Sequence, residues 1–369
     1  MMCMDTFAFM IHPIDTSDIY RKFPFLKRLP DTFVETALSK LPPLKVSEIT
    51  GIKSACNETR GWFVGCPLTT RKMIRLPEKK VLRKIIKTGK LAEKLGAKIL
   101  GLGAFTSVVG DAGITVAKNL KIPVTTGNSY TVATAIEGAI KAAELMGIDY
   151  STANIAVVGA TGSIGKVCAH YLAREVKYLT IVGKNYNKLL FLAEKILKDT
   201  GLSVVPTTNT SKAIRNSDII ITVTSSLDTI IHPEDLKPGS VVCDVARPRD
   251  VSQKVASTRD DVLVIEGGVV DVPGDVNFNF NFGFPPKKAY ACMAETMILS
   301  LEQRYECFTL GRDLTIQQVD EITSLAKKHG FKLSGLRSFE RELTPEQINQ
   351  IKSNARKKLK ARKNMLKII

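Results

Sequence analysis

The sequence of 369 residues contains no uninterrupted apolar run of about 18 residues, the length that a membrane-spanning helix requires. Near Met1 there is only a short apolar patch, with the acid Asp5 in it and no basic stretch before it, so we expect no signal peptide. Together these absences predict a soluble protein of the cytoplasm. Hydrophobic residues make up 44% of the chain, which is ample for real cores, and the length predicts about two domains.

Paired metal ligands are also missing. The cysteines are odd in number, widely spaced and without a Cys-x-x-Cys pair, and the histidines stand apart from one another. We therefore expect reduced thiols, and we predict neither a disulfide framework, nor a zinc site, nor metal catalysis. The residues concerned are Cys3, Cys56, Cys66, Cys168, Cys243, Cys292 and Cys307, with His12, His170, His232 and His329.

Acidic residues are scarce in two segments that together account for the whole net charge of +17. Residues 71–98 carry a net charge of +9 and residues 352–367 a net charge of +8. Such segments predict an acidic partner, although solvated faces of ordinary helices explain them equally well. No recognition motif and no stripe of aromatic residues accompanies the charge, so we do not expect nucleic acid as the partner.

The middle of the chain has the pattern of a nucleotide-binding unit. Residues 154–158 predict a short apolar strand that leads into Gly159, and residues 163–174 have the composition of a helix. Further apolar stretches alternate with helical or turn segments, which predicts an α/β fold with a doubly wound parallel sheet. These further predicted strands are 178–182, 203–205, 218–222, 240–243 and 262–265.

A second α/β region flanks this unit on both sides in the sequence. Apolar spacing before the unit predicts a helix within 81–95, a strand at 98–102 and a helix at 131–146. After the unit, helices are predicted at 287–306 and 315–329, and Thr344 begins a capped helix. The predicted domains are 1–148 (substrate and carrier domain), 149–284 (Rossmann domain binding NADP), 285–342 (C-terminal helices that complete the split first domain) and 343–369 (basic amphipathic tail).

Three glycines at three-residue spacing follow the first strand of the nucleotide unit. Gly159 permits a sharp turn, Gly162 lets backbone N–H groups approach a pyrophosphate, and Gly165 lets the helix pack against the sheet. Because a strand precedes the run and a helix follows it, we interpret the run as a dinucleotide site rather than a structural turn. The residues between the glycines that we include in this site are Thr161, Ser163 and Ile164.

The end of the second strand indicates which dinucleotide is bound. An NAD site places an acid there for the ribose hydroxyl, whereas an NADP site needs space and positive charge for a phosphate. Here Gly183 gives space, Lys184 and Lys188 give charge, and Asn185 gives a hydrogen-bond donor. We therefore predict NADPH, with polar residues that merely start a helix as the other interpretation. Contacts on the nicotinamide side are predicted from Thr222 and Thr224, at the end of another strand.

The candidate substrate site is the run from Pro285 to Glu295. Prolines start the predicted helix, and Cys292 lies near its second turn, with Lys288 one turn before it and Glu295 one turn after it. A thiol is a useful nucleophile when nearby positive charge favours the thiolate, and Lys288 is placed to supply such charge. From these residues alone a buried, inert cysteine is the other interpretation.

Five motifs at suitable spacing make the chain similar to the aldehyde-forming long-chain acyl-[acyl-carrier-protein] reductases best known from cyanobacteria. The similarity extends in order from about Gly61 to Lys332, whereas residues 1–55 and the tail beyond 337 match poorly. This family in turn resembles shikimate dehydrogenases in architecture. The motifs are Thr126-Gly-Asn-Ser-Tyr-Thr131, Ala156-Val-Val-Gly-Ala-Thr-Gly-Ser-Ile-Gly165, Glu266-Gly-Gly-Val-Val270, Ala291-Cys-Met-Ala-Glu295 and Gly311-Arg-Asp-Leu-Thr-Ile316.

The resemblance implies a function and places the family's nucleophile on Cys292. An acyl thioester would acylate this cysteine, and NADPH would reduce the acyl-enzyme to a fatty aldehyde. Thr106 and Asn128 are then candidate donors to the oxyanion, and Glu295 a candidate proton relay. The implied substrate is a long-chain acyl group on an acidic acyl carrier protein, or on coenzyme A. We expect the carrier to dock on residues 71–98.

Two other function classes stay open. The first is an NADP-dependent dehydrogenase of the shikimate or quinate kind, or one acting on an amino acid, without covalent catalysis; its catalytic aspartate is missing, because Asn128-Ser-Tyr130 stands at the corresponding place. The second is a non-catalytic binding module, which explains neither the glycine run nor Cys292. We also expect residues 352–367 to contact an anionic membrane, which would hold the protein peripherally at the inner membrane face.

Overall fold

The computed structural model describes residues 5–224, 226, 228–246, 249–281, 283–339 and 341–365. Cys3 and Lys367, and the side chains of Arg362 and Lys363, lie outside the described part. The strands are β1 (Asp5–Ile11), β2 (Leu44–Lys53), β3 (Glu58–Gly65), β4 (Leu100–Leu102), β5 (Val124–Thr125), β6 (Asn154–Val158), β7 (Tyr178–Val182), β8 (Val205–Thr207), β9 (Ile219–Thr222), β10 (Val241–Asp244), β11 (Leu263–Glu266), β12 (Val269–Asp271), β13 (Gly274–Asn277), β14 (Lys288–Tyr290), β15 (Lys332–Leu333), β16 (Arg337–Ser338) and β17 (Arg341–Glu342).

The helices range from single turns to α13, which has 21 residues. Over the described stretches of chain, no helix combines the length and the apolar character that crossing a membrane requires. The α-helices are α1 (Thr16–Lys22), α2 (Asp31–Lys40), α3 (Thr70–Arg75), α4 (Glu78–Lys94), α5 (Ile114–Lys118), α6 (Asn128–Met146), α7 (Ser163–Leu172), α8 (Tyr186–Thr200), α9 (Thr210–Arg215), α10 (Gln253–Thr258), α11 (Ala291–Leu301), α12 (Ile316–His329) and α13 (Pro345–Met365).

The chain forms two compact units whose limits differ from the expected 148/149 and 284/285. Unit 1 comprises Met1–Tyr130 and Val270–Lys332, and unit 2 comprises Thr131–Val269 and Leu333–Ile369. Nearly all of α6 belongs to unit 2, because its small residues pack there: a Cβ on Gly267 would lie 3.5 Å from Ala135. The basic helix α13 belongs to unit 2 as well, whereas α11 and α12 complete unit 1.

Unit 2 is built on a parallel sheet of six strands in the order β11-β10-β9-β6-β7-β8. Counted from β6, this is the order 3-2-1-4-5-6 of a doubly wound dinucleotide-binding fold. Apart from Asn154 and Thr222, β6 and β9 consist of apolar residues, because both faces of a parallel sheet are covered. The predicted α/β fold class is therefore confirmed.

Unit 1 has a mixed sheet of six strands in the order β13-β2-β3-β1-β4-β5. Strands β3, β1, β4 and β5 run parallel. At one side β2 pairs antiparallel with β3, and the edge strand β13 pairs antiparallel with β2. The helix α4 buries one apolar stripe, including Val81 and Ile85, in the core that contains Met10 and Val64. The carboxyl ends of β1, β4 and β5 thus share one edge of this sheet.

The helix predicted over 287–306 is shorter than its composition suggests. It covers only Ala291–Leu301, because Lys287 and Gln303 both adopt left-handed backbone conformations, with φ of +64° and +58°. Lys288 lies instead in β14, part of a small sheet in the order β14-β12-β15. The placement of Lys288 one helical turn before Cys292 is therefore wrong, since the two residues belong to different elements.

Candidate active site

The glycine loop of unit 2 lies where its sheet changes the direction of winding. Gly159 follows β6, and Val223 and Thr224 follow the neighbouring parallel strand β9. Gly159 adopts a φ of +86°, and a Cβ there would lie 3.0 Å from the carbonyl oxygen of Val223. The loop therefore occupies the switch point at which open α/β sheets bind ligands.

The other two glycines have different surroundings. A Cβ on Gly165 would lie 2.2 Å from the carbonyl oxygen of Gly159, so only glycine lets α7 approach the loop. A Cβ on Gly162 would approach only that same oxygen, at 3.3 Å, and would fill the space in front of the helix. Gly162 is the N-cap of α7, and no side chain caps this helix end, so the N–H groups of Ser163 and Ile164 face that space. The cradle fits the pyrophosphate of a dinucleotide.

The end of β7 places two lysines in solvent. Gly183 lies against Thr161, since a Cβ at position 183 would be 3.2 Å from the Thr161 methyl carbon. The Asn185 side-chain oxygen accepts a hydrogen bond from the Lys188 backbone N–H at 3.0 Å, so Asn185 caps α8. Lys184 and Lys188 are exposed, and the described residues include no ion-pair partner for either. The side-chain oxygen of Asn185 is thus used to cap α8, whereas the two N–H donors of its side-chain amide are left for a ligand.

The hydroxyl groups predicted to meet the nicotinamide are both bound within unit 2. The Thr222 hydroxyl donates to the Asp250 carboxylate at 2.5 Å, and the Thr224 hydroxyl donates to the other carboxylate oxygen. The backbone N–H of Thr224 also donates to Asp250, at 2.9 Å. Asp250 is fully buried and was missed by the sequence interpretation. It fixes the strand end beside Gly159 rather than leaving two free hydroxyls.

The described cysteines differ strongly in accessibility. Burial raises the pKa of the Cys66 and Cys168 thiols to about 12, so both stay protonated. Cys243 is also buried, whereas Cys292 is partly accessible. Cys56 and Cys307 are exposed. Nowhere in the described ranges do three or more His, Cys, Asp or Glu side chains form a group that could hold a metal ion.

Cys292 lies in the first turn of α11, tightly against the backbone of Gly127. Gly127 adopts a φ of +74°, and a Cβ there would lie 2.3 Å from the Cys292 Cα atom. The 19-residue helix α6 begins at the next residue, Asn128. The amino-terminal ends of α6 and α11, which carry positive partial charge, therefore both adjoin Cys292.

Glu295, one turn after Cys292, is the centre of a buried hydrogen-bond network in unit 1. Its side chain is fully buried, and its carboxylate accepts from the hydroxyls of Thr125 and Ser129, each at 2.5 Å. The Thr309 hydroxyl and the Tyr130 backbone N–H, at 3.0 Å, complete the set. Three of these four donors join α11 to the end of β5 and the start of α6, and the fourth, Thr309, lies in the segment after α11. The hydroxyl residues flanking Gly127 were the available signal in the sequence.

Within the described residues, one buried side-chain oxygen of this turn has no hydrogen-bond partner. The Thr126 hydroxyl is buried, and the described residues offer it no hydrogen bond, although its backbone N–H donates to the Thr309 carbonyl at 2.9 Å. Buried hydroxyls almost always form hydrogen bonds, so an unsatisfied one adjacent to Gly127 suits a ligand that brings an acceptor. The sequence interpretation had chosen Asn128, two residues further along the same turn.

Thr106 lies in the turn after β4, at the same sheet edge. Its hydroxyl donates to the Gly103 carbonyl at 2.7 Å, so it already has an acceptor. His12, at the end of β1, holds this turn: its Nε2 atom accepts from the Phe105 N–H at 3.0 Å, and its Nδ1–H donates to the Pro13 carbonyl at 2.9 Å. Burial lowers the His12 pKa to about 4, so the ring is neutral at physiological pH.

Lys288 has an acidic partner in its own unit. Its ammonium group lies 3.0 Å from a carboxylate oxygen of Asp271, the neighbouring strand's last residue. A lysine bound in this way is less suited to activating Cys292 than the sequence suggested.

The basic segment 71–98 has both engaged and free cations. Arg71 pairs with the buried Glu35 at 2.8 Å, Lys98 pairs with Asp5 at 2.9 Å, and Lys84 donates to the Leu41 carbonyl at 2.8 Å. No ion pair of the remaining α4 cations is found within the described residues, and all of them are exposed. These are Lys79, Lys80, Arg83, Lys87, Lys90 and Lys94.

The basic helix α13 covers unit 2 with its apolar side. Ile348 and Ala355 are buried, and Ala355 lies near Gly239, whose Cβ would be 3.5 Å away. Lys358 pairs with Asp260 at 2.6 Å and with Asp261 at 3.1 Å. Leu359 remains 40% exposed, so part of the apolar side of this helix is covered within unit 2 and part is not.

Comparisons with known proteins agree with this geometry. The sequence model of the shikimate / quinate 5-dehydrogenase family matches residues 141–266, a stretch of unit 2 that contains the glycine loop. Over 309 residues the chain is 28% identical to the long-chain acyl-[acyl-carrier-protein] reductase of Synechococcus elongatus, covering 80% of this chain and 88% of that protein. These similarities support an oxidoreductase that uses a nicotinamide cofactor.

Two further similarities are more limited. Over 268 residues the chain is 32% identical to the aminotransferase PigE of a Serratia species, covering 70% of this chain but only 30% of that protein. This chain therefore spans less than a third of the length of PigE. Among solved structures, quinate dehydrogenase from Corynebacterium glutamicum in complex with NAD is 14% identical, with a TM-score of 0.35, and the match covers 70% of this chain and 88% of that chain.

Proposed function

We propose that this protein reduces a long-chain fatty acyl thioester to a fatty aldehyde, with NADPH as the reductant and Cys292 as the nucleophile. The observation that carries the proposal is the position of Cys292: partly accessible, in the first turn of α11 and against Gly127 at the start of α6. The similarity to the Synechococcus elongatus reductase covers 80% of this chain, which is more than either unit comprises. The motif Ala291–Glu295, in which Cys292 takes the place of the family's nucleophile, supports the same proposal.

In the first half of the reaction the Cys292 thiolate attacks the thioester carbonyl. The bond from the carbonyl carbon to the carrier's sulfur breaks, and the carrier leaves as a thiol after taking up a proton. The positive ends of α6 and α11 favour the thiolate over the thiol. The same helix ends, with the unpaired Thr126 hydroxyl, would stabilise the negative charge that develops on the carbonyl oxygen.

The second half of the reaction regenerates the cysteine. When bound, NADPH supplies the hydride that reduces the acyl carbonyl. Cys292 then leaves the hemithioacetal as the aldehyde forms, so the enzyme returns to its starting state. Glu295 acts in this scheme by holding the turn that carries Gly127 and Thr126, since all its contacts are with donors of that turn and of Thr309.

The choice of NADPH rests on the end of β7. Lys184 and Lys188 are solvent-facing cations beside Gly183, and they suit the ribose phosphate that distinguishes NADPH from NADH. The cradle around Gly162 and the uncapped N-terminus of α7 would hold the pyrophosphate.

The direct test is to supply a long-chain acyl thioester without NADPH. Cys292 becomes acylated, because only the reduction is blocked, and intact mass spectrometry shows the adduct. Cys292→Ala abolishes both the adduct and the aldehyde while NADPH still raises the thermal midpoint. Full aldehyde formation by Cys292→Ala would rule out Cys292 as the nucleophile, and so would acylation of Cys56 or Cys307 in the wild type instead of Cys292.

The exposed cations of α4 are the proposed docking site for the acidic carrier protein. Reversing Lys80, Arg83 and Lys87 to Glu is expected to raise the Michaelis constant for the acyl carrier and to leave NADPH binding unchanged. Salt screens such attraction beyond about 8 Å at physiological ionic strength, so the constant also rises with salt. The matched control is the reversal of Arg356, Lys357 and Lys360, which are three exposed cations of α13 in unit 2. Equal effects of the two reversals would show that net charge alone matters.

A further inference from the structure

Residues 21–41 of unit 1 form a surface that is both apolar and basic, which we name the α1–α2 surface. It includes α1's last residues, the 3-10 helix Pro24–Arg28 and α2, and no residue of the 3-10 helix is buried. Phe25 is 68% exposed and Phe33 is 59% exposed. The other large apolar side chains exposed there are Phe23, Leu29 and Leu41. So many exposed apolar groups in about twenty residues mark an interaction site.

These side chains are arranged as a face. The rings of Phe23 and Phe25 contact each other, with centroids 6.2 Å apart. In α2, Phe33, Ala37 and Lys40 are all exposed, and their spacing of four and then three residues places them on one side of the helix. Val34 and Glu35, on the other side, are buried.

The charge on this surface is positive. Between Arg21 and Leu41 the sequence has five basic and two acidic residues. Glu35 is buried in its ion pair with Arg71, and Asp31 accepts a hydrogen bond from Tyr20. All five cations are exposed. Arg21 pairs with Asp18 at 3.6 Å, and Lys22 lies over the ring of Phe280, 5.3 Å from its centroid. For Lys27, Arg28 and Lys40 the described residues contain no ion-pair partner.

An ion pair and a hydrogen bond attach the α1–α2 surface to the rest of unit 1. Arg71 of α3 holds Glu35 of α2, and Lys84 of α4 donates to the carbonyl of Leu41. Because Lys84 joins α4 to the end of the α1–α2 surface at Leu41, the exposed lysines of α4 lie next to this surface and continue its positive charge.

A second exposed apolar patch shows that exposure alone does not define such a surface. In α8 of unit 2, Phe191 is 71% exposed and Leu197 is also exposed. Around them the helix carries charges of both signs, including Lys195 and Glu194. With three basic and two acidic residues, α8 has a net charge of +1, whereas residues 21–41 have a net charge of +3.

We propose that the α1–α2 surface docks the protein on an anionic phospholipid bilayer. Phenylalanine side chains of this exposure would enter the boundary between headgroups and acyl chains, and Lys27, Arg28 and Lys40 would bind lipid phosphates. The charge selects this occupant, because exposed apolar side chains that share residues 21–41 with an excess of exposed cations complement a negative lipid surface. The proposal assigns membrane contact to residues 21–41 rather than to α13, and it does not depend on the proposed reaction.

Flotation of the full chain with lipid vesicles tests the proposal. The wild type is expected to float with vesicles of phosphatidylglycerol and phosphatidylcholine in equal parts, and not with phosphatidylcholine alone. Phe25→Ser with Phe33→Ser, and separately Lys27→Glu with Arg28→Glu, are expected to weaken binding by more than about tenfold. Phe191→Ser is the matched control and keeps wild-type binding. All these side chains are exposed, and an unchanged thermal midpoint verifies folding.

Several results would overturn the proposal. Wild-type protein that does not float, or that floats equally well with neutral vesicles, excludes an anionic membrane as the partner. Unchanged flotation of the Phe25 and Phe33 double variant excludes this surface. Equal loss in Phe191→Ser shows non-specific apolar binding. Unchanged flotation of the Lys27 and Arg28 variant, together with lost binding of an acidic acyl carrier protein, would assign the surface to that protein.

Discussion

Replacing Glu295 with glutamine separates an anchoring carboxylate from a proton relay. In the wild type the carboxylate accepts hydrogen bonds from Thr125, Ser129, Thr309 and the Tyr130 N–H. A backbone N–H cannot turn round to accept, so the amide oxygen of Gln must face Tyr130 and Ser129. The amide nitrogen then faces Thr125 and Thr309, whose hydroxyls have to rotate.

The size of the effect follows from these contacts. A hydrogen bond to a charged group contributes roughly 1.5–3 kcal/mol and one between neutral groups about 0.5–1.5 kcal/mol. Two retained bonds weaken and two are rearranged, while the neutral amide costs less to bury than a carboxylate. We therefore expect Glu295→Gln to lower the free energy of unfolding by about 2–3 kcal/mol. If Glu295 serves only to anchor the turn, the folded Glu295→Gln enzyme should form aldehyde at nearly the wild-type rate.

Urea unfolding followed by circular dichroism gives the stability, and aldehyde release in the absence of urea gives the activity. Glu306→Gln is the control, because Glu306 is an exposed acid paired with Arg304 and its replacement costs at most about 1 kcal/mol. Unchanged stability of Glu295→Gln together with lost aldehyde formation would refute the anchoring role and favour proton transfer by Glu295.

Three further predictions concern other parts of the two units. Gly127→Ala is expected to slow acylation of Cys292 at least about tenfold in an intact-mass time course, because the new Cβ meets the Cys292 backbone. Gly96→Ala is the control: Gly96 also has a positive φ, of +88°, but no neighbour lies within 4 Å of its Cβ position. This control therefore shares only the backbone strain, and we expect it to keep the wild-type acylation rate. Lys184→Ala is expected to raise the NADPH concentration required by about tenfold and to leave NADH turnover unchanged, and equal effects on both cofactors would place Lys184 away from the phosphate. His12 has a pKa of about 4 when folded and 6.5 as the ordinary value, so the unfolded chain binds the extra proton and stability falls as the pH falls between these values. Between pH 7 and pH 5 the free energy of unfolding of the wild type should therefore fall by about 2 kcal/mol more than that of His12→Gln, as measured by urea unfolding. An equal fall in both proteins would contradict the lowered pKa of His12.

Local sequence determined the elements whose pattern is complete within a few residues. The strand β6, the turn at Gly159 and the start of α7 were predicted where they occur, because apolar runs, glycine turns and helix starts are each encoded by neighbouring residues. The strand β7 agrees residue for residue with its prediction, and α12 (Ile316–His329) begins one residue after the predicted start at 315 and ends at the predicted residue. Composition also located both basic segments, since charge is counted directly from the sequence.

The tertiary structure decided what depends on residues far apart in the chain. Thr125 and Glu295 are 170 positions apart, and no local periodicity records that their side chains meet. Lys288 looked helical by composition, but pairing in a sheet and the left-handed backbone of Lys287 made it a strand residue. The sequence predicted α13 as a free amphipathic tail, and only the structure shows that its side chains Ile348 and Ala355 are buried. Nothing in the sequence indicated that the phenylalanines of residues 21–41 stay exposed. A pattern states which residues are apolar or charged, and only the folded chain states what covers them.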